Sequence, residues 1–323
     1  MRAGVCLPQV GNLADPNLIP PFAAAVERAG YHSVWVMDRL LTPIHPKNDY
    51  PGVGKDGLPP EMQIVLDPIG VLTVAALATS TVLLGTSVLV GPWYPPVLLA
   101  RALTTLDLVS GGRVTVGLGL GWSADEYEAT GVPMTERGDR FDDLLATLHA
   151  IWRDDVVAVQ RSYVRIAPAI IRPKPMKPGG PPVLLGLYGR KGLDRVARKA
   201  AGWNPNGLPI PQLREGWAYI RSRAVEFGRD PDEIELIVGA NIKLTDRPIE
   251  GPDRTMYFGT IEQVAGDLED TRQAGAHEVI LGEWEDPKSV EESIGPIDSV
   301  VAQLDWGIKP VLPIQPTLGV PCG

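Results

Sequence analysis

Eight times along the chain a short run of β-forming residues gives way to a longer stretch of helical period. The strand-like runs fall at residues 2–7, 33–36, 81–90, 113–119, 183–187, 203–204, 234–242 and 278–281, and each is followed by one apolar-periodic helix. A strand that must wait for a helix before the next strand can pair only in parallel with its neighbour. An eightfold repeat of that unit predicts a closed α/β (β/α)8 TIM barrel, with an open doubly wound sheet as the competitor. All 323 residues are read as a single barrel domain, with 308–323 as an irregular C-terminal arm because four prolines interrupt it.

Local signals agree with this division. Asp67-Pro68 reads as a capping acid followed by proline in the first helical turn. Gly30 and Ser110-Gly111-Gly112 stop the helices before them. Two segments do not fit the repeat. The loop 41–63, after the second strand, carries five prolines, and an insertion near 154–182 alternates like a hairpin before a further proline cluster. Loops of that length inside a compact unit are usually functional, so both are expected to lie on one face of the barrel and to shape the substrate pocket or close over it.

Composition removes several classes of function. A net charge of −9 argues against a nucleic-acid surface, which needs clustered Lys and Arg. Cys6 and Cys322 lie at opposite ends of the chain and read as reduced thiols. The apolar stretch 65–84 is broken by Asp67, Pro68 and Thr79-Ser80-Thr81, so it is not a membrane span, and the N-terminal residues lack a signal-peptide apolar run. A soluble cytoplasmic protein acting on a small-molecule substrate is expected, with no membrane and no nucleic acid as partner.

In such a barrel the chemistry gathers at the C-terminal ends of the strands. That rule selects Pro8 and Gln9, Asp38 and Arg39, 87–91, 119–122, 186–191, 204–206, Asn241 and 282–284. No nucleophile elbow occurs there, since the run from Gly85 through Ser87 lacks the final glycine. His32, His45, His149 and His277 show no ligand spacing, so no metal site is expected. Gly119-Leu120-Gly121-Trp122-Ser123-Ala124 fits a dinucleotide fingerprint, but no second strand ending in an acid follows at the required distance. The turn Gly186-Leu187-Tyr188-Gly189-Arg190-Lys191 is the better anion site. It places glycines and two cations at the start of a helix, where exposed amides favour phosphate.

Several segments together resemble the luciferase-like monooxygenase superfamily. They are 33–38 (SVWVMD), 83–89 (LLGTSVL), 106–113 (LDLVSGGR), 117–122, 125–128, 137–141 and 202–205, and the resemblance covers about residues 1–245. It is nearest the actinobacterial branch that uses the deazaflavin coenzyme F420. The resemblance implies a flavin-type ring over the strand ends, a phosphate near the fifth strand, and a non-proline cis peptide at Ser87-Val88. Cofactor contacts then fall to Asp38, Ser87, Val88, Gly119, Gly186, Leu187, Tyr188, Gly189, Arg190 and Lys191.

Two departures from the family pattern matter. Many relatives carry histidine where this chain has Arg39, which can stabilise negative charge on a reduced deazaflavin but cannot shuttle a proton near neutrality. Trp122 stands where relatives that oxidise sugar phosphates carry an acidic glutamate. Arg39 and His45 are therefore the catalytic candidates, with the proton donor open among His45, Tyr188 and Glu283. The resemblance implies an F420-dependent oxidoreductase moving hydride between the coenzyme and a small organic substrate, and a homodimer. An FMN-dependent monooxygenase and a non-catalytic coenzyme-binding member are the alternatives.

Overall fold

A computed structural model describes residues 1–49, 60–252, 254–283 and 289–311. Strand β1 (Arg2–Cys6) leads to α1 (Ile19–Ala29), then β2 (Ser33–Val36), α2 (Pro68–Ala78) and β3 (Leu83–Thr86). A two-residue strand β4 (Leu89–Val90) precedes α3 (Pro96–Ser110), β5 (Val114–Gly119), the short α4 (Ala124–Ala129) and the long α5 (Arg137–Arg153). Next come β6 (Val157–Gln160) and β7 (Arg165–Ala169), then β8 (Val183–Gly186), α6 (Gly189–Lys199), β9 (Gly202–Trp203) and α7 (Ile210–Glu226). The last elements are β10 (Glu235–Leu244), β11 (Phe258–Gly259), α8 (Ile261–Gln273), β12 (Glu278–Glu283) and α9 (Val290–Val301).

The sheet closes on itself. Parallel pairing runs β1-β2-β3-β5-β8-β9-β10-β12 and returns from β12 to β1, where Arg2 sits opposite Glu278. This is the expected (β/α)8 barrel, with helices covering the outer face. Strand β5 is buried at all six positions, as a parallel strand covered on both sides must be.

The third strand differs from the expected single run. It divides into β3 and β4 on either side of the Ser87–Val88 peptide, which is cis, at the position the family resemblance assigned to it, and β4 pairs β5 beyond the break. The barrel interior is built around Trp35. A Cβ on Gly85 would stand 2.2 Å from Trp35 Cε3, and one on Gly4 2.5 Å from Trp35 Nε1, so both glycines are there because the indole occupies the space a side chain would need. The indole N–H donates to Ser33 Oγ at 2.6 Å, and Ser33 Oγ in turn donates to the buried carboxylate of Glu278.

Helix α2 starts as its sequence predicts, with the Asp67 carboxylate accepting from the Gly70 amide at 2.7 Å. The insertion does not lie where the sequence suggested. It connects the C-terminal end of α5 to the first residue of β8, so topology places it at the N-terminal rim of the barrel, opposite the strand ends. There β6 and β7 form an antiparallel hairpin of their own, Lys174 Nζ donates to the carbonyls of Ile151 and Asp154, and the Met176 amide donates to Asp107. Of the C-terminal arm, Lys309 and Val311 are tied to Ala29 and Asp298, and residues 312–323, with Cys322, lie outside the described residues.

Candidate active site

The end of β2 delivers two charged side chains into the barrel mouth. Asp38 and Arg39 are each 8% exposed. The Asp38 carboxylate turns toward the third strand, where Oδ2 accepts from the Val90 amide at 3.0 Å and from the Tyr94 hydroxyl at 2.9 Å. It thus fastens the end of β2 to the chain just beyond the cis peptide. Burial, and to a lesser degree the neighbouring carboxylates of Glu126 and Asp67, pushes Asp38 up to about 6 against the opposing pull of those two donors.

Arg39 turns the other way. Its guanidinium lies 5.0 Å above the Trp122 ring, and Nη1 is 3.7 Å from Glu126 Oε2. Nε and Nη2 are buried and have no hydrogen-bond partner among the described residues. A buried cation with one carboxylate beyond hydrogen-bond distance and two unsatisfied donors is an incomplete arrangement. It fits an anionic group arriving at the strand ends.

Glu126 was not among the site residues singled out from sequence, where it falls in the family-like run 125–128 without a role of its own. It belongs to the site all the same. The N-cap Ser123 begins α4, and the helix turns the Glu126 carboxylate back to accept from the Leu40 amide at 2.8 Å. The loop after β2 is clasped to the same helix: the Lys47 amide donates to Asp125 and the Ala124 amide to Asn48, both within 2.9 Å. His45 lies in this clasped stretch, exposed, with no hydrogen bond to a described group. The remainder of that loop, 50–59, lies outside the described residues.

On the other side of the mouth, Ser87 Oγ donates to Asn204 Oδ1 at 2.9 Å, while Asn204 Nδ2 donates to the Ile237 carbonyl. The Val88 side chain packs against β5 and β8 at this level. A Cβ on Gly119 would come within 2.5 Å of Val88 Cγ2, and one on Gly186 within 3.0 Å of Val88 Cγ1. The absent side chains at Gly119 and Gly186 therefore make room for Val88, a role that glycine-rich turns do not advertise in sequence. Cys6 lies at the end of β1 beside Gly282 and Asn241, where burial pushes its thiol up to about 12.

The turn after β8 opens α6 at Gly189, with a positive φ of 67°, and no side chain caps its first turn. Leu187 is buried and its carbonyl accepts from the Trp203 indole. The Tyr188 hydroxyl accepts from the Asn206 amide at 2.9 Å and donates to the Asn206 carbonyl at 3.2 Å. Arg190 stacks on the Tyr219 ring 4.3 Å away and reaches toward Glu215, and Lys191 is exposed. The first turn of α6 is thus left without a capping side chain, while Arg190 is engaged with α7. Glu283 ends β12, and Trp284 lies outside the described residues.

These placements define a (β/α)8 barrel with its buried charged groups and an uncapped helix start gathered at the strand ends, the end at which such barrels bind small molecules. The chain belongs to the luciferase-like monooxygenase family, a family of oxidoreductases, whose model matches residues 1–250. It is 33% identical over 214 residues to an uncharacterised protein of Mycobacterium tuberculosis, covering 64% of this chain and 76% of that one. It is 27% identical over 198 residues to the FMNH2-dependent dimethylsulfone monooxygenase of Pseudomonas putida, covering 59% of this chain and 53% of that enzyme. The fold is similar to that of an F420-dependent secondary alcohol dehydrogenase solved with an F420-acetone adduct, with a TM-score of 0.71, 18% identity, and 92% of this chain and 98% of that chain covered.

Proposed function

We propose that the protein is an F420-dependent oxidoreductase that transfers a hydride between the deazaflavin coenzyme and a small organic substrate. The observation that carries this assignment is Arg39, a guanidinium buried at the strand ends with Nε and Nη2 unsatisfied. Its permanent charge suits a reduced deazaflavin that bears negative charge on its ring. Bound there, the coenzyme supplies the hydride-carrying carbon, and the protein supplies the rest. Val88, next to the Ser87 side chain fastened to Asn204, would back the ring. The uncapped turn Gly186-Leu187-Tyr188-Gly189-Arg190-Lys191 holds the phosphate through its amides. Asp38 keeps the bulge in place through Val90 and Tyr94 rather than touching the coenzyme with Oδ2.

Arg39 cannot exchange a proton near neutrality, so the substrate oxygen needs another partner. His45, exposed on the loop clasped to α4, takes that role. Leu77 on α2, with Leu98, Leu108 and Val109 on α3, leaves an exposed apolar strip that suits a homodimer, to be checked by sedimentation at micromolar concentration.

The test is turnover with reduced and oxidised F420 across a panel of alcohols, ketones and enones. Coenzyme-linked conversion of at least one substrate class is expected. Coenzyme binding with no conversion across the panel would leave a non-catalytic member instead. The likeness to the FMNH2-dependent sulfone monooxygenase supports the FMN reading, which predicts oxygen-dependent turnover with reduced FMN.

A further inference from the structure

Away from the strand ends, helix α5 packs on α3 and α6 on α7, and a cleft opens between α5 and α6. Arg195 on α6 bridges its upper part by pairing with Asp142 on α5 at 2.8 Å. Below that bridge lies a cavity of about 650 Å³. Its apolar wall is formed by the part-exposed Val183 of β8 and Leu145, Ala146 and Ala150 of α5, with the buried Leu185, Leu148 and Trp152 behind them. The insertion supplies its lip, through Arg161, Gly179 and Pro181. A volume of this size takes a drug-sized organic molecule.

The lining is electrostatically one-sided. His149, Arg153, Arg161, Arg198, Lys199 and Arg229 all border the cavity, and no Asp or Glu does. That is unexpected by chance in a chain whose net charge is −9. Three of the cations have work elsewhere. Arg153 pairs with Asp154 at 2.8 Å, Arg161 with Asp143 at 3.5 Å, and Arg229 donates to the carbonyls of Ala197 and Ala200 at the end of α6. Arg198 and Lys199 make no salt bridge with a described residue, although Arg198 lies over the Phe227 ring at 4.0 Å. Trp152, pressed against Gly180, is buried and its indole N–H has no hydrogen-bond partner among the described residues. An apolar wall meets a basic rim on which Arg198 and Lys199 are the cations without a salt bridge to a described residue.

We propose that this cavity binds an amphipathic organic anion, its ring-sized apolar body on Leu145, Ala146, Ala150 and Val183 and its carboxylate, sulfonate or phosphate at Arg198 and Lys199. The site is separate from the coenzyme site: it lies outside the sheet, and its walls belong to the segment at the opposite rim of the barrel. The proline-rich insertion, which the strand-end site does not use, has its function here.

Anilinonaphthalene sulfonate is the probe, with its uncharged counterpart N-phenyl-1-naphthylamine in parallel. Titration of the full chain should give a saturable fluorescence rise at one site per chain, unchanged by saturating F420 or FMN. The sulfonate should bind at least tenfold more tightly than the neutral amine. The double variant Arg198→Glu/Lys199→Glu should weaken the sulfonate at least tenfold and leave the amine within twofold. Ala146→Phe, which fills the cavity from α5, should abolish both, with the circular dichroism spectrum retained as the check on folding. Displacement by either coenzyme, equal affinity for the two probes, or indifference to both variants would overturn the proposal.

Discussion

Arg39 Nη1 lies 3.7 Å from Oε2 of Glu126, and the two side chains are only 4% and 3% exposed. Buried charges depend on one another, because removing one strands the other in a medium that solvates it poorly. Glu126→Gln should therefore lower unfolding free energy by about 3 kcal/mol, read by urea denaturation. Adding Arg39→Met should recover part of that loss. Strictly additive losses in the double variant would show that the pair is not coupled.

Loss of Arg39 alone should be felt by the coenzyme. Arg39→Met removes a charge-assisted contact worth about 1.5–3 kcal/mol, so affinity should drop by roughly tenfold to a hundredfold. Titration of the variant reads this directly. Unchanged affinity would place the anion elsewhere.

Asp38 makes a pH-dependent prediction whose sign is unusual for a carboxylate. Burial raises it from 3.8 to about 6, so the folded protein binds the proton more tightly than the unfolded chain. Its contribution to stability is full below the unfolded value and is lost as pH rises through the window from about 4 to about 6. By linkage the change is about 3 kcal/mol. Asp38→Asn keeps an acceptor for Val90 and Tyr94 but cannot titrate, so the wild type's stability relative to this variant should fall across that window. A flat difference between the two pH profiles would contradict the shift.

The barrel interior leaves no room beside Trp35. A methyl at residue 85 would stand 2.2 Å from the indole, so Gly85→Ala should destabilise by about 1–3 kcal/mol or more. Combining it with Trp35→Leu should cost less than the two changes summed, as measured by thermal unfolding. Wild-type stability in Gly85→Ala would mean that the indole moves freely.

His45→Gln should cut turnover about a hundredfold while leaving coenzyme affinity within twofold, because general acid–base groups typically contribute 10²–10⁴-fold. Full activity in this variant would pass the proton role to Tyr188 or Glu283.

The architecture was legible because it is periodic. Each β–α unit announces itself through local pattern, and the caps at Asp67 and Gly30 need only neighbours in sequence. The Glu126 carboxylate was not legible, since the Leu40 amide it accepts from is 86 residues away and an acid near a helix start looks like ordinary capping. Gly119 and Gly186 were read as ligand-facing turns, and that they also accommodate the Val88 side chain was not legible, since Val88 is about thirty and about a hundred residues away from them in sequence. The insertion was assigned to the wrong rim because a long proline-rich segment signals function without saying at which end of a barrel it lies. Counting it as the connection from a helix to the next strand, rather than from a strand to a helix, fixes that end by topology alone.

The central claim is tested most directly by titrating the purified protein with F420 and, separately, with FMN, following each chromophore at equilibrium. Saturable one-to-one binding of F420, weakened in Arg39→Met, with FMN binding at least tenfold more weakly, is the predicted result. Tight binding of FMN with no binding of F420 would contradict it.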